Sequence, residues 1–257
     1  MINLNLKAKI YIFSLFTIIG FDSCLRAEGL FDKIELEASA SLGYYSNYIW
    51  RGFTLDKDAV IQPGVNLSWK GLSFSFWSSF DAESDDELAS DEIDYVFDYT
   101  KELNDLLSIS LGHTYYDFPE IASYSREFYV GFGLSRIPVL DLPIETSLIY
   151  YHDYGDESNG GGEGDYVSLD MAYSLLLLED IGLTMDLGSH YGFNNELFIA
   201  GQGSDLAFSF GFTIPLNDNL TVSPTVNYSL PLGDLKDDDD GAQEDRVYGG
   251  MALAYNF

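Results

Sequence analysis

Basic side chains and cysteine are both scarce in this chain. Its 257 residues include 12 Lys and Arg against 42 Asp and Glu, which gives a formal net charge of −30. The scarcity of bases excludes a nucleic-acid partner, because phosphate groups are bound mainly by Lys and Arg. Cys24 is the single cysteine, so the chain cannot form an internal disulfide.

Long hydrophobic runs are missing after the N-terminal segment. A membrane-spanning helix needs about 20 consecutive apolar residues, and no later stretch approaches that length, so helical membrane spans are excluded. Disorder is the usual interpretation of such an acidic composition. It fails here because 46% of the residues are hydrophobic and they alternate with polar ones.

The N-terminal segment has the pattern of an export signal. Lys7 and Lys9 precede the apolar run Ile10–Phe21, and a polar stretch ends at Ala27. This order predicts a secretory signal peptide over residues 1–27, with residues 28–257 forming a single outer-membrane barrel domain. Cys24 would then be removed. Two alternatives stay open: a short membrane anchor, and a lipoprotein that is cut before Cys24.

Apolar residues recur with a period of two in twelve segments, as expected of strands. The opposite positions carry mostly Ser, Gly, Thr and Asn, which suit a lumen better than a water-exposed sheet. Short and long connections alternate, as in Lys70-Gly71 and Ser46–Val60. The pattern predicts an all-β fold, a 12-stranded antiparallel up-and-down transmembrane β-barrel of the bacterial outer membrane, with both termini on the periplasmic side. The segments run near Ile34–Tyr44, Ile61–Trp69, Leu72–Phe80, Ile93–Tyr99, Leu107–Tyr115, Phe128–Leu134, Ile144–Tyr150, Val167–Tyr173, Ile181–Leu187, Leu206–Phe212, Leu220–Tyr228 and Val247–Phe257.

The last strand and the aromatic residues fit the same interpretation. Met251, Leu253, Tyr255 and Phe257 share one face of the final segment, and a terminal aromatic residue serves such barrels as an assembly signal. We therefore expect the barrel-assembly machinery and outer-membrane lipid as partners. Aromatic residues near the long loops predict an outer interfacial girdle. These are Tyr44, Tyr45, Tyr48, Trp50, Tyr115, Tyr116, Phe118, Tyr150, Tyr151, Tyr154, Tyr191 and Phe193.

Four stretches in the first third of the chain carry a family resemblance. They are Gly43–Phe53, Gln62–Asn66, Lys70–Ser79 and Asp91–Tyr95, of which the Tyr-x-x-Arg-Gly element is the most specific. Together they resemble the TorF-type porins, small bacterial outer-membrane proteins that are largely uncharacterised in function. The resemblance implies a barrel and a pore. It supplies no substrate and no catalytic residues.

The acidic residues on the inward face predict a narrow porin that passes small solutes and prefers cations. Asp94, Asp98 and Asp186 are the expected determinants, because they lie away from the strand ends. The alternative is a structural or surface-interaction barrel whose lumen is filled by side chains, since twelve strands fall between filled and open barrels. The predicted pore-lining and selectivity residues are Glu35, Glu37, Glu92, Asp94, Asp98, Glu127, Asp170, Asp186, Asp205 and Arg246, and the same parity places Glu145, Asp153 and Lys33 inward.

Arg51 and Arg246 stand out among the few bases. Strands one and twelve are neighbours in a closed barrel, so the two arginines are expected near the mouth. Each is predicted to pair with an acid such as Glu127 or Asp153 in a structural salt bridge, with a selectivity role as the alternative.

Enzymatic and metal-binding patterns are weak. His152, Asp153 and Ser158 are the nearest approach to a catalytic set, and no motif surrounds them. The acidic run Asp237–Asp240 lacks the spaced ligands of a calcium loop and is interpreted as a solvated loop. We expect no catalytic residues, no metal and no cofactor, and a membrane-embedded enzyme is the least favoured alternative.

Overall fold

The predicted barrel is confirmed by a computed structural model, which describes residues 35–82, 91–138, 142–237 and 242–257. Twelve antiparallel strands close into one barrel in the order β1-β14-β13-β12-β11-β10-β9-β8-β7-β6-β5-β4. The predicted signal peptide, Cys24, Lys33 and most of the run Asp237–Asp240 lie outside the described residues. The barrel strands are β1 Glu37–Tyr45, β4 Val60–Trp69, β5 Leu72–Asp81, β6 Glu92–Glu102, β7 Leu107–Phe118, β8 Ser123–Leu134, β9 Glu145–Asp153, β10 Asp165–Leu178, β11 Leu183–Asn195, β12 Gln202–Pro215, β13 Leu220–Gly233 and β14 Arg246–Asn256.

The two faces of the barrel differ as the alternation predicts. Large apolar side chains such as Phe97, Phe132 and Met251 are exposed on the outside, whereas Ser79 and Asp205 are buried in the lumen. Lipid cannot satisfy free backbone groups, so a closed ladder with an apolar exterior is the form in which a sheet crosses a membrane. The fold is therefore that of an integral outer-membrane barrel. None of the helices among the described residues is long and apolar enough to span a membrane.

Local sequence sets the turns and the irregularities. Lys70 and Gly71 both have positive φ, 51° and 86°, which is the backbone of a type I′ two-residue hairpin turn. Pairing between β12 and β13 is interrupted opposite Pro224, because proline has no N–H to donate. It resumes in the same register at Ile214 and Val222.

Element boundaries differ from the sequence prediction at several strand ends. β1 begins at Glu37 rather than near Ile34, and Glu35 precedes it with a φ of 55°. Residues Asp117–Ser123 were expected to form a long loop, but β7 and β8 extend until only the turn 119–122 is left. Polar residues near strand ends pair as readily as apolar ones when they face the lumen, so the hydrophobic pattern underestimates strand length.

The first long loop contains an additional hairpin that the period-two pattern did not predict. β2 (Tyr48–Trp50) and β3 (Phe53–Asp56) form a separate two-stranded sheet. Its residues contact the inner walls of β6, β8, β9 and β10, so it lies inside the barrel. The short helix α1 (Asp234–Asp237) buries Leu235 against it. The extracellular half of the lumen is therefore occupied by loop residues.

The C-terminal residue closes the barrel seam, and its role in assembly stays a prediction. The Phe257 N–H donates to the Ala38 carbonyl at 3.0 Å, and its ring contacts Tyr255 with centroids 4.9 Å apart. We expect deletion of Phe257 to lower the amount of folded barrel in the outer membrane and to raise periplasmic degradation. Immunoblots of membrane fractions measure both. Leu253→Ala, which removes an equally lipid-facing apolar group, should reduce delivery less; equal levels of the Phe257 deletion and the wild type contradict the assembly role.

Candidate functional site: the constricted lumen

The tip of the inner hairpin has an unusual backbone. Trp50 pairs with Phe53, so Arg51 and Gly52 form a two-residue turn with φ values of 49° and 81°. Both angles suit a type I′ turn, in which Asn and Gly are preferred. A Cβ on Gly52 would lie 2.8 Å from the Cβ of Asp205, so glycine is needed there. Arg51 holds a left-handed conformation that costs an arginine of the order of 1 kcal/mol.

Arg51 forms a two-pronged ion pair across the lumen. Its Nη1 and Nη2 donate to the two carboxylate oxygens of Glu127 on β8 at 2.6 and 2.9 Å. Only 9% of the Arg51 side chain and 1% of the Glu127 side chain are exposed. Tyr116 donates to the same carboxylate at 3.1 Å. Burial alone would lower the pKa of the Arg51 guanidinium, but the Glu127 carboxylate outweighs it and raises that pKa, so Arg51 stays charged.

Three aromatic rings surround the same guanidinium. The Arg51 Cζ lies 4.4 Å from the Trp50 ring centroid, 4.3 Å from Tyr151 and 4.4 Å from Tyr166. Tyr151 and Tyr166 are directly opposite each other on β9 and β10 and face inward. Each ring face attracts a cation through its quadrupole. We call Trp50, Tyr151, Tyr166 and Glu127 the cation cage.

Further contacts hold the hairpin in place on several sides. Tyr48 donates to Glu92 on β6 at 2.8 Å and packs against Trp77. Trp50 and Phe53 both contact Phe198, in the loop between β11 and β12. The hairpin is thus tied to the barrel wall and to a second extracellular loop.

The loop between β13 and β14 also contacts the hairpin. The Thr54 N–H donates to the Gln243 side chain at 2.8 Å, and the Arg246 Nε donates to the Thr54 hydroxyl at 3.3 Å. Arg246 also lies 3.6 Å from Glu244. The prediction that Arg51 pairs with Glu127 is therefore confirmed. Arg246 also pairs with an acid, but that acid is Glu244 and not Glu127 or Asp153, because Arg246 begins β14 directly after the loop that carries Glu244.

A cluster of polar residues around His190 lies below the cage, on the inner wall formed by β10, β11 and β12. The His190 Nδ1 is 2.5 Å from Asp170, and its Nε2 is 2.7 Å from the Tyr166 hydroxyl and 3.1 Å from Asp205. Tyr166 also donates to Asp205 at 2.7 Å. Both ring nitrogens face carboxylates, which suits the imidazolium form, since both of its nitrogens donate. His190 thereby offsets charge on two of the predicted pore-lining acids.

The predicted pore-lining acids fall into two groups. Those near the hairpin have charged or buried partners: Glu127 binds Arg51, Asp170 and Asp205 bind His190, and Glu92 accepts from Tyr48. The second group lies toward the periplasmic end, where the acids have hydroxyl partners or none among the described residues. This group comprises Glu37, Asp98, Glu145 and Asp186. Glu37 accepts a hydrogen bond from Ser68, and Asp98 accepts from Tyr129 and Thr100. Asp186 accepts from Ser174, Thr184 and Thr213. Glu35, ahead of β1, contacts Lys70.

Asp94 differs from the other two expected determinants. Its Oδ1 is buried and has no hydrogen-bond partner among the described residues. Asp98 and Asp186 instead accept hydrogen bonds from hydroxyl groups and face the lumen. A cavity of about 620 Å³ occupies the periplasmic half of the barrel. Its lining includes Glu145, Ser147, Asp170, His190, Ser209 and Asn227.

Part of the predicted aromatic girdle lies elsewhere. Tyr44, Tyr150, Tyr154, Tyr191 and Phe193 are exposed, as expected of lipid-interface residues. Tyr115 also lies on the outer face, where it stacks on Tyr124. Six other placements are wrong for one of two reasons: the residue has the inward parity of its strand, or it belongs to the inner hairpin. The inward residues are Tyr45, Tyr48, Trp50, Tyr116, Phe118 and Tyr151.

The nearest catalytic set is not assembled. His152 lies on the outer face with Asp165 at 2.8 Å, whereas Asp153 faces inward and accepts from Ser125. Successive strand residues point in opposite directions, so His152 and Asp153 cannot act together. Ser158 lies in the next loop, where its N–H is capped by Asp156. Among the described residues, no group of three or more His, Cys, Asp or Glu is placed to hold a metal ion.

Sequence reasoning missed the aromatic members of the cation cage and His190. Tyr151 was predicted to lie in the outer girdle, although it has the parity of a lumen residue. Tyr166 has the same inward parity, but parity alone does not indicate a contact with Arg51. A signal for the hairpin was present, because Arg51-Gly52 is flanked by Tyr48, Trp50 and Phe53. A Gly-containing two-residue turn between aromatic residues is a hairpin pattern. It was concealed within a segment that the alternation of loop lengths assigned to the outside.

Comparison with known proteins identifies one matching family and several solved structures with a similar fold. Residues 33–225 match the model of a family described as a bacterial protein of unknown function (Gcw_chp). No curated protein sequence matches the chain. Similar solved structures include the KdgM porin, with a TM-score of 0.56, 10% identity and coverage of 85% of this chain and 99% of that one. The NanC porin has a TM-score of 0.55 at 12% identity, covering 86% and 100% of the two chains.

A bacterial polysaccharide outer-membrane secretin is also similar. Its TM-score is 0.51 at 10% identity, with 86% of this chain and 98% of that chain covered. At such identities the likeness shows the fold alone. These matches support the outer-membrane barrel implied by the sequence resemblance, and they do not bear on the TorF name.

Proposed function

The chain belongs to the bacterial Gcw_chp family of unknown function, and we propose that it is a narrow outer-membrane porin that passes small solutes and prefers cations. The acidic residues without basic partners in the periplasmic half of the lumen carry this proposal. Asp98 and Asp186 accept hydrogen bonds only from hydroxyl groups in the described chain. Their charge therefore lowers the energy of a cation in the lumen and raises that of an anion.

The porin-like neighbours favour a transport barrel rather than an enzyme. A KdgM porin has been solved in complex with disordered oligogalacturonate, a chain of carboxylated sugars. The lumen described above repels such a polyanion, because its inward acids outnumber its inward bases. We therefore propose a solute of neutral or positive charge for this barrel. We also propose that the barrel is of the TorF type and that it has no catalytic activity.

Replacing Asp98 and Asp186 together by Asn should move the reversal potential in a salt gradient toward zero. The two substitutions remove charge from the lumen and keep the size of each side chain. Planar-bilayer recordings of the purified, refolded protein measure this change. Asp165→Asn is the matched control, since that carboxylate faces the outside of the barrel.

Two outcomes contradict the proposed mechanism. The first is anion preference of the wild type. The second is an unchanged reversal potential in the double variant.

A structural barrel with a filled lumen is the second candidate. One observation favours it: the hairpin buries Arg51 and Glu127 almost completely inside the barrel. Recordings of the wild type separate the two candidates, because a barrel filled by the hairpin passes no current while the hairpin is in place. Cation-selective current through the wild type supports the narrow porin.

A further inference from the structure

The cation cage is built as a binding site for a guanidinium group. Glu127 presents two oxygens to the two terminal nitrogens of Arg51, which is the planar, two-pronged geometry that a guanidinium forms and an ammonium does not. Tyr151 and Tyr166 place their rings 4.3 and 4.4 Å from the same cation. The charge, the donor geometry and the ring faces all select one chemical group.

The residue that fills this site comes from a loop rather than from the barrel wall. Glu127, Tyr151 and Tyr166 project from β8, β9 and β10 and stay with the barrel, whereas Arg51 is at the tip of the inner hairpin. Its backbone has a φ of 49°, where Asn or Gly is preferred. The contacts in the cage compensate for this conformation, which shows where the hairpin gains its docking energy.

We propose that Glu127, Tyr151 and Tyr166 form a binding site for solutes that carry a guanidinium group, and that Arg51 occupies it as an internal substitute. This inference rests on the proposed porin function, since it names the solute class that such a lumen would take. A solute with a guanidinium competes with Arg51 for Glu127 and the tyrosine rings. Binding of the solute and docking of the hairpin are therefore mutually exclusive.

The mutual exclusion makes a quantitative difference between variants. In the wild type the apparent affinity for an external guanidinium is reduced by the fraction of molecules in which Arg51 has left the cage. Arg51→Ala removes the competitor and keeps the three wall residues. The variant should therefore bind the solute at least an order of magnitude more tightly than the wild type does.

The experiment uses the full chain, folded in detergent micelles, with isothermal titration calorimetry. The probe is N-acetyl-arginine amide, and N-acetyl-citrulline amide is its uncharged control of nearly the same shape. Arg51→Ala should bind the arginine probe and not the citrulline probe. Adding Glu127→Gln should abolish binding, whereas adding Glu145→Gln, another inward acid, should leave it unchanged.

Substitutions of Tyr151 test the ring contribution without touching a charge. In the Arg51→Ala background, Tyr151→Phe should retain binding, because the ring face is kept, and Tyr151→Leu should weaken it several-fold. These variants also decide the question if the Glu127 variant does not fold. Equal binding of both probes, no binding by Arg51→Ala, or equal affinities of the Phe and Leu variants would overturn the site.

Failure of this site and failure of the porin are distinguishable. Calorimetry in micelles requires no current, so arginine binding by a barrel without conductance keeps the site and overturns the porin. Cation-selective current without arginine binding keeps the porin and overturns the site.

Discussion

Replacing residues 48–56 by a short Gly-Ser linker is expected to raise the single-channel conductance several-fold. This is the largest functional effect that the structure predicts. The hairpin places three aromatic side chains and Arg51 in the extracellular half of the lumen, and the barrel wall around them is continuous without it. A hairpin in a separate sheet contributes no ladder hydrogen bonds to the barrel. The barrel should therefore close normally and become wider inside.

Bilayer recordings compare the hairpin variant with the wild type under the same salt. The control is a variant with the linker replacing residues 157–159, a short 3-10 helical segment of the loop between β9 and β10. It removes loop residues of the same side without opening the lumen. A conductance that is equal in the hairpin variant and the wild type would show that the constriction lies elsewhere.

Glu127→Gln is expected to release the hairpin. The substitution leaves the buried Arg51 guanidinium without its carboxylate, and breaking a buried ion pair in this way costs about 3–5 kcal/mol. Each 1.4 kcal/mol is about a factor of ten in an equilibrium constant, so the ratio of docked to undocked hairpin should fall by about two to four orders of magnitude. The hairpin can leave the lumen and return Arg51 to water, so the cost appears as undocking rather than as unfolding.

An arginine-specific protease reports the undocked state. Arg51 is buried in the docked hairpin, so cleavage after it requires undocking. Mass spectrometry of the fragments should show much faster cleavage at Arg51 in Glu127→Gln than in the wild type. Glu145→Gln is the matched control because Glu145 is an inward acid at the periplasmic end of the barrel, away from the hairpin. Cleavage at the same rate in all three proteins would mean that the ion pair does not hold the hairpin.

Removing both charges of the Arg51–Glu127 pair should restore docking of the hairpin. Arg51→Met combined with Glu127→Leu leaves no buried charge, and such apolar replacements of a buried pair are often neutral or stabilising. The double variant should therefore show a conductance close to that of the wild type, whereas Glu127→Gln alone should conduct like the hairpin variant. An open conductance in the double variant would indicate that the ion pair adds net docking energy beyond the apolar contacts.

The sequence by itself determined the barrel. Period-two alternation fixes which side chains face lipid and which face the lumen, because a one-residue slip would turn every apolar residue of a strand inward. For that reason all twelve barrel strands were predicted, and the lumen face of Asp98, Asp186 and Glu127 followed from parity alone. The interruption at Pro224 was predictable too, since a missing N–H is a local property.

The tertiary structure alone decided which acids are neutralised and what fills the lumen. Parity gives a face but not the contacts across the barrel, which join residues far apart in sequence, such as Arg51 with Glu127 and Asp170 with His190. Those contacts divide the acids into a paired extracellular group and a periplasmic group without bases. The inner hairpin was missed because its direction depends on docking to the barrel wall, and an isolated two-stranded hairpin is marginal in water. Its stability comes from the cation cage, which exists only once β8, β9 and β10 are side by side.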